Sequence, residues 1–388
     1  MSLPPWVDPR PAPYGAPPPE RADVVVVGGG PSGLAAARCL AAAGTDVVVL
    51  EARPDVGLGF AARIGGAVAL GNVEHPNRLA AGLGLADTAA LFGFTQANLA
   101  LARQWLRARP TGGLYAAAMP GEDDDVAQGS DLLDRLGVPV ERWTPDRVAR
   151  ETGAAHLGTG RFLPDEAWVA PTRALRRLAG DAVAAGARVC TGQSVVRVDE
   201  SDTLTVHLAG GTVTAEVVVW AAGAACQALH PDFRDVVWPV RVQSVATADG
   251  VGAVGVPGRG QHGHLAWSVT AAGARVLTGC RWATPHLEVG ETDEQALSPV
   301  VDQKLRTMLD RLWPGSVATR SWAGIAAFTC DGLPLVGPLP GHPRQVACVG
   351  YGGADWSFAL RAGQSVAEGL LTGESQGLPD RFSPARFN

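Results

Sequence analysis

Six residues near the start of the chain, Gly28-Gly29-Gly30-Pro31-Ser32-Gly33, constrain its fold more than any others. They fit GxGxxG, follow the apolar run Val24-Val25-Val26-Val27, and open a stretch, 31–43, with the composition of a helix. Residues 46–51 then read as a second buried strand of Val and Leu, ending on Glu51, eighteen residues after Gly33. Strand, glycine turn, helix and a second strand with a terminal acid predict a βαβ unit built around a dinucleotide pyrophosphate. Gly28 permits the tight turn, Gly30 lets backbone N–H groups approach the phosphates, and Gly33 lets helix and strand pack closely. Pro31 and Ser32 open the helix, Glu51 is placed to accept hydrogen bonds from the adenosine ribose, and Arg53, after Ala52, to cover the adenine.

A nicotinamide enzyme is expected to complete its second mononucleotide half soon after such a unit. Here the next landmarks are a distant strand ending in Val219-Trp220-Ala221-Ala222-Gly223 and a glycine-rich C-terminal segment, a layout that favours FAD.

Beyond the Pro-rich arm of residues 1–22, the pattern between about 80 and 145 is helical and polar, and the acidic run 122–125 reads as a solvated loop, not a metal site. Residues 172–185 read as an amphipathic helix, and 188–199, 203–208 and 216–220 as three strands returning to the first sheet. Alternating segments such as 241–246 and 264–270 predict an antiparallel sheet between about 237 and 323, with one helix near 302–312. A strand at 346–351 leads through Gly352-Gly353 into a helix at 355–371. The expected class is α/β, or α+β overall. A Rossmann-type FAD-binding domain (23–80, 146–236 and 324–388) interleaves with an antiparallel-sheet substrate domain (81–145 and 237–323).

Composition removes several alternatives. A net charge of -6 with scattered basic residues gives no footprint for nucleic acid. Apolar stretches such as 24–37 fall short of the ~20 residues that span a bilayer, so no membrane partner is expected. The proline-rich start is unlike a secretory leader, which points to a cytoplasmic protein. The six cysteines form no CxxC or Cys/His pair, so neither a metal site nor a disulfide framework is expected.

The C-terminal third carries the most specific motifs: Trp322-Ala323-Gly324, then Thr329-Cys330-Asp331-Gly332-Leu333-Pro334-Leu335-Val336-Gly337, then Gly350-Tyr351-Gly352-Gly353 and Ala362-Gly363. Together with the βαβ opening these resemble the D-amino-acid-oxidase superfamily of FAD enzymes, which includes glycine oxidase, sarcosine oxidase and the γ-glutamylputrescine oxidase group, over nearly the whole chain from residue 22. The resemblance implies noncovalent FAD. Its adenosine end would be held by Gly28, Gly30, Ser32, Gly33, Glu51 and Arg53, flanked by backbone near Val196 and Ala222-Gly223. Its flavin end would lie against Arg63, Ile64, Asp331, Gly332 and the turn Gly352-Gly353-Ala354-Asp355. The helix after Gly353 would direct its positive N-terminus at the flavin's pyrimidine edge.

The chain departs from the family pattern at three places. Residues 59–66 align with GASGRNGG but carry Ala61 and Ile64 for its serine and asparagine. Asp355 places an acid in the first turn of the helix facing the flavin, where its ordinary role is to favour the helix. Directed at the flavin it would disfavour the anionic reduced form. Ala326 stands where glycine oxidase has the arginine that clamps the substrate carboxylate, so another cation is needed, and Arg281 is the nearest candidate in sequence. Gly324 stands where the monomeric sarcosine oxidases carry their flavin-linking cysteine.

Substrate candidates are Trp267, Trp282 and Trp356, from an unusual set of 11 tryptophans against 3 tyrosines, with Arg281; each of these indoles is also an ordinary core residue by type. His262 and His264 read as surface turn residues. Asp355 and Arg281 are the catalytic candidates, because hydride transfer from a neutral amine to flavin N5, giving an imine, needs positioning more than acid–base machinery. The expected reaction is FAD-dependent oxidation of a C–N bond in a small amine or amino acid, with oxygen, giving hydrogen peroxide, or another acceptor taking the electrons. Two alternatives stay open: a dehydrogenase or hydroxylase of secondary metabolism, and a flavin-binding protein that has lost turnover. The hydroxylase reading lacks its Gly-Asp-Ala motif before the final helix, where the chain has Asp331-Gly332-Leu333-Pro334.

Overall fold

A computed structural model describes residues 3–7, 10, 14–251, 255–279 and 288–387. The opening βαβ unit is present as β1 (Arg21–Val27), α1 (Pro31–Ala42) and β2 (Val47–Glu51), with the two strands in parallel register. On its other side β1 pairs in parallel with Gly211–Trp220, which in turn pairs in parallel with His342–Val349. Arg188–Thr191 continues the parallel order beyond β2, and Val195–Glu200, Leu204–Leu208 and Leu335–Leu339 add antiparallel members to make eight strands.

The central strands are runs of valine because both faces of the sheet are covered. Val24, Val26, Val47 and Val49 face a core with Leu34 of α1, Leu178 and the C-terminal helix Asp355–Thr372. Val25, Val27, Val48 and Leu50 face a second core with Val206, Trp220 and Phe233. The strand ends at Val27 and Trp220 open a crevice where the order reverses, the place where such sheets bind ligands.

The second sheet also has eight strands, in the order Ala318–Thr329, Val237–Thr247, Arg275–Gly279, Leu265–Val269, Gly258–Gly260, Gly113–Ala116, Gly160–Leu163 and Glu141–Trp143. Neighbours are antiparallel except Gly258–Gly260 with Gly113–Ala116, which run parallel. Helix Pro299–Leu312 closes one face through Val301, Leu305 and Leu309 against Leu265, Trp267 and Leu277. By strand alternation Tyr115, Arg259, Ala266 and Thr278 share the opposite face.

Several expectations are corrected. The acidic run 122–125 is not a solvated loop but the first turn of helix Glu122–Arg135, where the helix dipole favours acids, and Glu122 itself is buried. Residues 188–199 form two strands, Arg188–Thr191 and Val195–Glu200, which pair with different neighbours. The strands Gly113–Ala116, Glu141–Trp143 and Gly160–Leu163 lie in segments without a strand signal.

The Pro-rich arm is docked onto the sheet. Tyr14 O accepts from Thr191 N at 2.9 Å, Gly15 bridges Cys190, and Trp6 Nε1 donates to Ala62 O at 2.7 Å with its ring edge-on to Trp322. Among the described residues no helix is long and apolar enough to cross a membrane.

Candidate active site

The glycines of the first turn divide by physical reason. A Cβ on Gly28, at φ +111, would fall 2.5 Å from Ala221 O, and one on Gly33 would fall 2.2 Å from Gly28 O. The fold itself forbids side chains there. Gly30 is different: its φ of -76 and ψ of 176 suit any residue, and the nearest atom to a built Cβ, Ala221 O, is 3.9 Å away. The open space it preserves lies at the N-terminus of α1, which has no side-chain cap and no acid in its first turn. An uncapped helix start behind an open cradle fits a pyrophosphate.

Glu51 sits beside that cradle. Its Oε2 accepts from Gly29 N at 2.8 Å and its Oε1 from Arg53 N at 2.9 Å. Burial raises its pKa, with those two amides pulling the other way. Each oxygen keeps a lone pair for a ribose hydroxyl. Ala52 connects Glu51 to Arg53, and Gly192 N and Gln193 N donate to Arg53 O and Glu51 O, both at 2.8 Å. This brings the turn before Val196 alongside, although Val196 itself is 56% exposed. Across the crevice Ala222 and Gly223 follow Trp220, Gly223 with φ +58. Ser32 Oγ is turned inward, donating to Cys348 O at 3.2 Å. The residues present therefore fit the adenosine diphosphate half of FAD.

Arg53 and Arg63 share one carboxylate. Glu294 accepts from Arg53 at 2.7 and 3.0 Å and from Arg63 Nη2 at 2.8 Å. Arg63 also donates to Leu58 O and Ala323 O, and burial lowers its pKa. Gly324 is fixed beside it, because a Cβ there would meet Phe60 Cδ2 at 2.9 Å.

The other end of the crevice is the turn Gly352-Gly353, at φ +60 and +89, leading through Ala354 into the helix at Asp355 without a side-chain cap. Gly332 makes another positive-φ turn, and Asp331 is held by Arg386 at 2.7 and 3.0 Å. Asp355 is half-buried, and loss of water pushes its carboxyl up to about 7, its own backbone N–H opposing.

Here a cleft with about 1110 Å³ of open space, its mouth included, separates the helix start from the second sheet. Phe60, Ile64, Trp168 and Phe328 supply apolar wall, and Asp355, Glu166 and Arg259 are charged residues in the lining. Arg259 Nη2 donates to Glu166 Oε1 at 2.7 Å, Leu70 N donates to the same oxygen, and Arg259 Nε meets no hydrogen-bond partner among the described residues.

Of the tryptophans expected here, Trp356 borders the cleft with its indole donating to Ala61 O at 3.0 Å, and Trp267 borders it while donating to Val256 O at 3.2 Å. Arg281 and Trp282 lie outside the described residues. His264 borders the cleft and His262 approaches Glu122, so neither is a free surface histidine: the turn carrying them folds inward against 73–75. Glu166, Trp168 and Arg259 carry no sequence motif, and only strand pairing brings them to the cleft.

Residues 23–369 match the family described as DAO: FAD dependent oxidoreductase. Against curated protein sequences the chain finds no match. Among solved structures it is similar to L-proline dehydrogenase from P. horikoshii, with a TM-score of 0.81 and 20% identity over 95% of this chain and 98% of that one. Glycine oxidase from Geobacillus kaustophilus gives 0.79 and 22% over 95% and 99%. NikD, titled an unusual amino acid oxidase essential for nikkomycin biosynthesis, gives 0.75 and 18% over 94% and 98%. At these identities the likeness is one of fold.

Proposed function

The chain belongs to the DAO family of FAD-dependent oxidoreductases, and from that premise we propose that it oxidises a C–N bond of a small amine or amino acid to the imine, using noncovalently bound FAD. The observation that carries this reading is the cleft between the Gly352-Gly353 turn and the second sheet, mostly apolar in its lining but bordered by an acid, Asp355, and an arginine, Arg259. The chemistry FAD supplies when bound is two-electron acceptance from carbon.

The chain's own residues account for the rest. Gly28, Gly30 and Gly33 shape the pyrophosphate turn, and Glu51 holds the adenosine ribose. Arg63, Ile64 and Gly332 border the flavin end. Gly324 leaves no room for a linking side chain beside Phe60, which supports a noncovalent cofactor. Phe60, Trp168 and Phe328 exclude water from the reacting bond. Arg259 supplies the cation that Ala326 cannot, to orient a substrate carboxylate, while Asp355 faces the amine end and takes up its proton. In this reading the 1–22 arm precedes a cofactor domain and an interleaved substrate domain and docks on the former through Tyr14 and Gly15.

The test is anaerobic titration of the yellow protein with amines and with D- and L-amino acids, followed by admission of air. Bleaching by one class identifies the substrate. Fast recovery in air marks an oxidase that uses oxygen, slow recovery a dehydrogenase with another acceptor. Colourless protein that takes up no FAD would sink the proposal. Yellow supernatant after acid precipitation would confirm that the cofactor is not covalently linked.

A further inference from the structure

Behind the cleft wall, three segments distant in sequence meet at His75, Glu122 and His262, with one ligand atom of each within 4.8 Å of the others. The side chains of His75 and Glu122 are fully buried and that of His262 is 11% exposed. The oxidation chemistry uses none of them.

The spacing between His75 and Glu122 is long for a charge-assisted hydrogen bond and suits two ligands of one metal ion. His75 Nε2 stands 3.3 Å from Glu122 Oε1, longer than the about 2.7–2.9 Å of a charge-assisted bond. Two ligands of a tetrahedral zinc, at about 2.0–2.1 Å for nitrogen and 2.0–2.2 Å for oxygen, lie about 3.4 Å apart. The other ring nitrogen of His75, Nδ1, is buried with no hydrogen-bond partner among the described residues. Glu122 is oriented in advance: Ala118 N and Gln261 N donate to Oε2 at 2.7 and 3.1 Å, and His262 N to Oε1 at 2.7 Å. Glu74 lies 3.4 Å from His262 Nδ1, as carboxylates beside metal-binding histidines do, and also accepts from the backbone amide of His75 at 2.9 Å. At His75 the field of Arg161 is opposed by Glu122 and Asp125.

We propose that His75, Glu122 and His262 bind one divalent transition-metal ion, zinc by preference, leaving its fourth position to water. The ion ties together the segments 73–75, 118–122 and 261–263, and so fixes Val73 and Gly263 in the cleft wall. A second trio, His230, Asp232 and His342, has ring nitrogens already engaged and is expected to retain no metal. There His342 Nδ1 lies 2.7 Å from Glu200, and His230 Nδ1 accepts from Asp232 N at 3.2 Å.

The experiment strips the flavin-loaded protein with chelator, reloads it with Zn²⁺, passes it through gel filtration and counts retained zinc by mass spectrometry. One equivalent is expected in the wild type and in His342→Ala, and none in His75→Ala or His262→Ala. Glu74→Gln should weaken binding about 10–100-fold. Should His75→Ala fail to fold, His262→Ala carries the test, with circular dichroism confirming its fold. Equal retention in the wild type and His262→Ala, whether none or one, overturns the proposal, as does retention abolished by His342→Ala. The cluster would then be only a carboxylate anchor for backbone amides.

Discussion

Asn98 Nδ2 donates to the carbonyl of Trp356 at 2.8 Å, while its Oδ1 accepts from Leu360 N and Arg361 N at 3.0 and 3.1 Å. The long helix Leu85–Leu106 thus inserts one amide side chain beside the pair of backbone groups that a turn of the C-terminal helix joins. The helix start at the cleft is therefore set by a residue more than 250 positions earlier in the chain.

Asn98→Ala removes three hydrogen bonds from a fully buried site and should cost about 1–3 kcal/mol. Because the helix can close its own bonds in compensation, the larger effect falls on the register of Asp355 and Trp356. Denaturant melts and flavin retention through gel filtration check this. Unchanged flavin retention would mean that Asn98 serves stability alone.

Gly30→Val and Gly33→Val should separate cofactor binding from folding. At residue 30 the backbone suits valine and open space surrounds it, so the variant folds with a native circular dichroism spectrum but emerges colourless. At residue 33 a side chain meets Gly28 O at 2.2 Å, so that variant fails to accumulate as soluble protein. A yellow Gly30→Val protein would remove the pyrophosphate from this turn.

Asp355 gives a pH dependence with a definite sign. Its carboxyl titrates near 3.8 when unfolded and about 7 when folded, because burial disfavours the charge. Between those values the native state holds a proton that the unfolded state has lost. Its contribution is therefore full below about 3.8 and disappears as pH rises through 7. Melting temperatures of flavin-free protein from pH 4 to 8 should fall more steeply for the wild type than for Asp355→Asn. Parallel curves would place the carboxyl in water. In the flavin-loaded protein, Asp355→Gly should speed reoxidation by oxygen.

Arg259→Gln should raise KM at least about tenfold for amino acids with little change in kcat, since it removes a contact made before the chemical step. An amine lacking the carboxylate should be indifferent to the change. Equal losses on both would show that Arg259 acts through Glu166 on the shape of the wall.

The sequence exposes the cofactor half of the molecule because its demands are local: Gly28, Gly33 and Glu51 lie within one βαβ unit, and the Val runs announce a sheet covered on both faces. The substrate wall follows another logic. Arg259 reaches the cleft because Gly258–Gly260 pairs with Gly113–Ala116, and no local pattern encodes a contact across that span. The burial of Glu122 is hidden from the sequence for a related reason. Four charged residues in a row look solvated, but the acceptor needs of Ala118, Gln261 and His262 amides are visible only once those segments meet. Asn98 sits mid-helix with no cap or turn signal, and its partner helix lies at the far end of the chain.

The docked arm bears on how the protein behaves in a crowd. A parallel sheet ends in strands whose free N–H and C=O groups can recruit another chain. At Arg188–Thr191 that edge is covered by Tyr14 and Gly15, and the Pro17-Pro18-Pro19 run that follows has no N–H groups to offer a further strand. The opposite edge, Val195–Glu200, is broken by a bulge between Val195 and Arg197 and carries Arg197, Asp199 and Glu200. Two of the three margins of the cofactor sheet, Leu335–Leu339 being the third, are thus closed to edge-to-edge aggregation, one by a proline strap and the other by charge.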